Sequence, residues 1–217
     1  MTKSFGLRFL AVSALLCLSA SSYASLTVYT TQASFLAATS AQGVETFTGF
    51  NLSGPTPSPF SGSAGAYGYT ASVSTTTFYG AGTTANPWLS TNTASDTITF
   101  NGFTNGAQAI GGNFFDSDFS GAFQAGSITV TATDSSASSV QTITNATTTS
   151  FLGFVSSDSL ISLTVSAVQP GAPIWPTVDN LVIAQRPTSG AVPEPGSIPL
   201  VLAGVGIMGL LARRRSA

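Results

Sequence analysis

The side chains that usually carry enzyme chemistry are scarce in this 217-residue chain, which has no histidine and a single cysteine, Cys17. Ser-His-Asp and Cys-His nucleophilic catalysis, and imidazole-bound zinc or iron, are thereby excluded. What remains is oxygen chemistry. Asp116 and Asp118 stand two residues apart, so a strand would place them on one face. Neighbours of that kind lie roughly 6.5 to 7 Å apart along the backbone, whereas a glycosidase pair faces across a substrate from different elements. Calcium is a better use of such acids, because it takes roughly six to eight oxygens from carboxylates, carbonyls and amides. Two places supply them: Asn113, Asp116, Asp118 and Ser120 in one stretch, and Glu45 early in the domain with Asp179 and Asn180 near its end. The same acids also suit simpler work, Asp116 and Asp118 as solvated turn residues and Asp179 as a turn cap.

Aromatic residues are the second set of candidates. Trp88 follows Asn86-Pro87, Trp175 sits in Pro173-Ile174-Trp175-Pro176, and Tyr67 and Tyr69 lie in a glycine-rich stretch. Backbone stiffened by proline loses less entropy on binding, and a sugar ring can stack its C–H face on an indole or phenol. Large aromatics near loops also close the open end of a sandwich, where burial contributes about 25 cal/mol per Å².

The elements that must hold these residues are strands. Alternation is clearest at residues 127–133, where Ile128, Val130 and Ala132 point one way and Thr129, Thr131 and Thr133 the other. Similar two-residue periods occur at 97–100 and 161–165, while 151–155 and 178–184 are more continuously apolar, as strands near sheet centres should be. Residues 26–30 read as an opening strand and 31–38 as one short helix, capped by Thr30 or Thr31 with Phe35 and Leu36 facing inward. Turn signals at Asn101-Gly102, Asn105-Gly106, Asp134-Ser135-Ser136 and Ser156-Ser157-Asp158 separate the strands. The proline-rich stretch 53–68 reads as a long surface loop. No helical period follows residue 38, which excludes a parallel α/β sheet. The expected fold is all-β, an antiparallel β-sandwich of jelly-roll type with one short N-terminal helix, occupying residues 25–186.

Both ends of the chain read as addresses. Lys3 and Arg8 precede an apolar run at 9–18, and Ser22-Tyr23-Ala24 fits a signal-peptide cleavage site, predicting a cut between Ala24 and Ser25 after export by the Sec machinery. Cys17 would be lost with that peptide; Leu15-Leu16-Cys17 is a poor lipoprotein signal, because no small residue precedes the cysteine. At the other end, after a linker at 187–191, come Val192-Pro193-Glu194-Pro195, an apolar run at 198–212, and Arg213, Arg214 and Arg215. Both prolines lack an N–H, so that turn stays extended and reachable by an enzyme. At about 1.5 Å per residue the apolar run reaches roughly 22 Å as a helix, short of a hydrocarbon core of roughly 30 Å. Three glycines, Gly204, Gly206 and Gly209, weaken it further. Arginines after the run hold that end in the cytoplasm. A lasting anchor is the competing reading.

Residues 192–217 resemble the PEP-CTERM sorting signal of exopolysaccharide-producing Gram-negative bacteria: Val-Pro-Glu-Pro-Gly, a short glycine-containing apolar span and a terminal arginine cluster occur in that order. The resemblance implies transient residence in the inner membrane, recognition by an exosortase near Pro193-Glu194-Pro195, and delivery outside the cell. It implies nothing about the domain's activity. The stretch Val178-Asp179-Asn180-Leu181-Val182-Ile183 is similar to the closing strand of jelly-roll carbohydrate-binding modules, in which an Asp here and an early Glu hold a structural calcium.

Between residues 25 and 192 the charges are Glu45, Asp96, Asp116, Asp118, Asp134, Asp158 and Asp179 against Arg186 alone, a net of −6. Nucleic acid is not an expected partner, since phosphate binding needs clustered Lys or Arg. Ser and Thr supply 54 of these 168 residues, so solubility comes from hydroxyl groups. The function expected is non-catalytic contact in the extracellular matrix or at the cell surface, without an obligatory cofactor. A carbohydrate-binding module for secreted polysaccharide is the first alternative, and a glycan-acting hydrolase the second.

Overall fold

The computed structural model describes residues 26–187, so the signal peptide, the linker beyond residue 187 and the sorting segment lie outside the described residues. In chain order the elements are β1 (Leu26–Tyr29), α1 (Gln32–Ala37), β2 (Ser40–Glu45), β3 (Pro55–Thr56), β4 (Phe60–Ala64), β5 (Tyr67–Val73), β6 (Phe78–Thr83) and β7 (Asn86–Thr91). They continue as β8 (Ile98–Asn101), β9 (Ala109–Ser117), β10 (Phe123–Gln124), β11 (Gly126–Asp134), β12 (Ser138–Ala146), β13 (Phe151–Ser156), β14 (Leu160–Val168) and β15 (Trp175–Gln185).

Eight of these strands form a rolled hairpin. The run β7-β8-β9-β11 is retraced by β12-β13-β14-β15, giving the antiparallel pairs β11 with β12, β9 with β13, β8 with β14 and β7 with β15. Because β15 also pairs with β9, and β14 with β11, the ribbon closes into two facing four-stranded layers, β13-β9-β15-β7 and β12-β11-β14-β8. That order is the jelly roll, the fold expected from the alternation and turns. Additional strands widen it: β1 beside β13, β6 and β3 beyond β7, and β5 and β4 beyond β8. The sheet containing β9 and β15 is here called the first sheet, and that containing β11 and β14 the second.

The core between the layers holds Phe78, Phe100, Phe114, Phe154, Leu89, Ile98, Ile110, Ile128, Leu163 and Leu181, all fully buried. The helix covers the other face of the first sheet, where Phe35 packs on Phe151, Val155, Val182 and Ala184. Thr31 is its N-cap, accepting a hydrogen bond from the Ser34 N–H at 3.3 Å.

Residues 53–68 are not the single surface loop that their prolines suggest. Two short strands, β3 and β4, run through them, and β5 begins at Tyr67. Pro55 is accommodated because β3 is an outermost strand, where a missing N–H costs no ladder bond.

Candidate functional site

Alternation along three adjacent strands decides what the outer face of the first sheet presents. Leu89, Phe114 and Val178 lie opposite one another and point into the core. Trp88, Ser90, Asn113, Phe115, Ser117, Trp175, Thr177 and Asp179 therefore point outward. This face carries two concavities.

The first is a groove of about 340 Å³ between β6, β7, the end of β9 and the start of β15. Its floor is hydroxylated: Thr177 Oγ1 donates to Ser117 Oγ at 2.9 Å, and Ser90 Oγ donates to the Pro176 carbonyl at 3.0 Å. Its walls are aromatic, Tyr79 on one side and Trp175 and Phe119 on the other. Phe119 is 90% exposed, the most exposed large apolar side chain among the described residues. It is not on a loose loop. Asp118 Oδ1 accepts from the Ser120 N–H at 2.8 Å, the Ser120 hydroxyl at 2.7 Å and the Ala122 N–H at 3.0 Å. The Gly82 N–H donates to the Gly121 carbonyl at 2.8 Å, pinning the turn to β6, and Gly121 takes the positive φ of 78° that this turn requires. The Phe119 and Trp175 rings meet edge to face with centroids 5.9 Å apart. Hydrogen bonds from Ser120, Ala122 and Gly121 hold the Asp118 carboxyl below its ordinary range, so a fixed negative charge stands on the rim.

The second concavity, of about 540 Å³, lies toward the helix and is lined by Asn86, Asn113, Asp179, Asn180 and the Trp88 ring. Asp179 sits at a β-bulge, where the register with β9 shifts and Asn180 adopts a φ of 49°. Its Oδ1 accepts the Asn180 N–H at 2.7 Å and its Oδ2 the Asn180 amide at 3.1 Å. The Asn180 amide also reaches Asn113 Oδ1 at 3.3 Å. Burial pushes the Asp179 carboxyl up, against the opposing bonds from Asn180 and Asn86.

The candidate ligand sets of the sequence are dispersed by this fold. Asp116 and Asp118 do not share a face: Asp116 points into the core and is fully buried, while Asp118 lies beyond the end of β9 in the Phe119 turn. Asn113 belongs to the second concavity, so Asn113, Asp116, Asp118 and Ser120 do not converge. Glu45 pairs with Leu181 and so faces inward, where its Oε1 accepts the Phe47 N–H at 2.7 Å; Asp179 faces outward. Among the described residues, no three acids gather as a metal-binding group. Tyr67 and Tyr69 are strand residues of the core, each 3% exposed, and not a displayed platform. The Tyr67 hydroxyl donates to the Ala41 carbonyl at 2.7 Å, and burial, with Glu45 beside it, pushes the Tyr69 phenol up. Trp88 is a strand residue too, its ring 4.9 Å from Phe115 and its indole Nε1 buried without a partner. Trp175 alone among the four aromatic candidates opens on the first groove.

Phe119 and Tyr79 escape a reading of the sequence. The signal for Phe119 was there in Asp118-Phe119-Ser120-Gly121, a turn sequence that takes Phe119 off the strand.

An all-β jelly-roll sandwich with a mixed aromatic and hydroxylated groove on one sheet is thus the class of molecule defined by residues 26–187. The family model for the PEP-CTERM protein-sorting motif matches residues 191–215, about a tenth of the chain. The chain therefore carries the address of an exosortase-targeted protein of the cell envelope or surface. No curated protein and no solved structure matches. Among the described residues no helix is long and apolar enough to cross a membrane.

Proposed function

We propose that the exported domain acts outside the cell by non-catalytic contact, as a matrix or surface component, and that its first groove grips a neutral polysaccharide. The observation that carries this reading is Phe119, 90% exposed yet held on a turn pinned to β6 and set against Trp175. A large aromatic fixed in water before any ligand arrives has already lost the freedom that binding would otherwise cost. Aromatic walls meet the C–H faces of sugar rings, and Ser90, Ser117, Asn92 and Asp118 offer hydrogen bonds to their hydroxyls. An anionic polymer is disfavoured by the Asp118 charge and by the acidic balance of the domain. Contact rather than turnover is supported by the separation of the carboxylates, since Asp116, Asp118 and Asp179 each occupy a different environment. Exosortase is the processing partner that the sorting motif implies; Sec export and the polysaccharide are proposed with the reading.

Affinity electrophoresis in the host's own neutral exopolysaccharide tests it. Phe119→Ala and Trp175→Ala should each weaken retardation at least tenfold, with the melting temperature of Phe119→Ala unchanged. Full retardation of the double variant would exclude the groove.

A further inference from the structure

We propose that β12 is a pairing edge through which two copies of this domain join, antiparallel, into one continuous sheet. Six strands pair on one side only: β1, β3, β2 (beside β15) and β10 (beside β9) in the first sheet, and β4 and β12 in the second. Five are blunted as natural edges usually are. β1 has four residues, β3 has two and contains Pro55, β10 has two, β4 has five with Gly62 at its centre, and β2 has six, interrupted by Gly43 and by Ala41 at a φ of 50°. β12 is different. It has nine residues, Ser-Ser-Val-Gln-Thr-Ile-Thr-Asn-Ala, with no proline, glycine or charge, and among the described residues no strand pairs with its outer side. From Ser138 to Ile143 its register with β11 is unbroken, so a row of backbone donors and acceptors is presented along a regular strand.

The edge is also held ready. Asp134, at the β11–β12 turn, accepts from the Ser136 N–H at 2.9 Å and the Ala137 N–H at 2.7 Å, and its other oxygen takes the Ser156 hydroxyl at 2.5 Å. This ties the hairpin to β13.

A second copy of β12 is the occupant proposed, because a strand without charges sets no like charges opposite each other when it pairs with itself, and the acids beside it select the antiparallel sense. The acids nearest the edge, Asp134 and Asp158, cluster at the turn before β12, where Asp158 accepts from Ser135. Antiparallel pairing sends the two acidic ends apart, whereas parallel pairing would set them side by side. Directly opposed residues in an antiparallel pair share a face. Centred on Gln141, the pair sets Val140, 61% exposed, opposite Thr142, and Ser139 opposite the half-buried Ile143. Stacking of two copies face to face is disfavoured by what that sheet presents outward: one row across its six strands reads Ser61, Thr70, Asn101, Ser162, Thr133 and Ser138. That row is hydroxylated, and the most exposed apolar side chain of this sheet, Val140, lies on its rim strand, so the second copy adds at the rim. A single strand pair makes a weak, concentration-dependent dimer, suited to a protein packed densely outside cells.

Sedimentation velocity of the exported protein over a wide concentration series tests the proposal. The expected result is a monomer–dimer equilibrium whose midpoint moves at least tenfold higher in Val140→Lys with Thr142→Lys, both exposed positions. Thr99→Lys, on β8 in the interior of the same outer face, should leave it unmoved. A monomer at every concentration would overturn the proposal, as would dissociation by Thr99→Lys with the β12 lysines harmless.

Discussion

Asp116 makes the sharpest prediction about this domain. Its carboxyl is fully buried between the layers, both oxygens lack a hydrogen-bond partner, and Gly126 on the opposing strand leaves it room by having no side chain. Burial pushes it from 3.8 up to about 7. Below pH 3.8 the group is neutral in folded and unfolded chains alike and carries no charge penalty. As the pH rises from there, the unfolded chain releases its proton while the folded domain retains it, so stability falls until about pH 7 and is level beyond. Roughly three pKa units at about 1.4 kcal/mol each put the loss on the order of 4 kcal/mol, or roughly 10 °C of melting temperature for a domain of this size. The perturbation is Asp116→Asn, which keeps the shape and removes the titration. Asp179 is also raised by burial and adds to the slope, so the quantity to read is the wild type minus the variant. With no histidine in the chain, few other groups titrate in this window. Calorimetric melts from about pH 4 to about pH 8 should show the two proteins converging at acid pH and the variant melting higher at pH 8. Parallel curves would refute the reasoning.

Asp96 behaves in the opposite sense. It is buried, and although burial opposes ionisation, hydrogen bonds from Thr75, Thr76 and Ser74 hold its carboxyl below 3.8, so its stabilisation is present above pH 3.8 and lost as the pH falls through its lowered value. Asp96→Ala strands the Thr75 N–H and three hydroxyls, and denaturant titration at neutral pH should show a loss of roughly 3 kcal/mol. Because the acid pairs are dispersed, a chelator of divalent cations should leave the melting temperature unchanged; a fall of several degrees would restore a structural calcium at Asp179 and Asn180. Thr31→Ala removes the helix cap and should cost about 1 kcal/mol in the same titration.

The layers of the fold were legible because strand periodicity is local. Ile128, Val130 and Ala132 alternate with threonines in the sequence and in the sheet alike, and the turns at Asn101-Gly102 and Asp134-Ser135-Ser136 fall between strands. The groove was not legible, because its walls come from β6, β15 and the turn after β9, brought together only by the roll of the ribbon. Asp116 and Asp118 misled for the same reason: strand β9 ends at Ser117, one residue before the pattern that joins them would be complete. Tyr67 and Tyr69 alternate with Gly68 and Thr70, a period that already belonged to a strand with an aromatic inner face.

Mass spectrometry of the protein recovered from its own host tests the central claim most directly. A mature chain that begins at Ser25 and ends near Pro193-Glu194-Pro195 is the expected result. A chain recovered with Arg213, Arg214 and Arg215 still attached would contradict sorting and leave a tethered sandwich in its place.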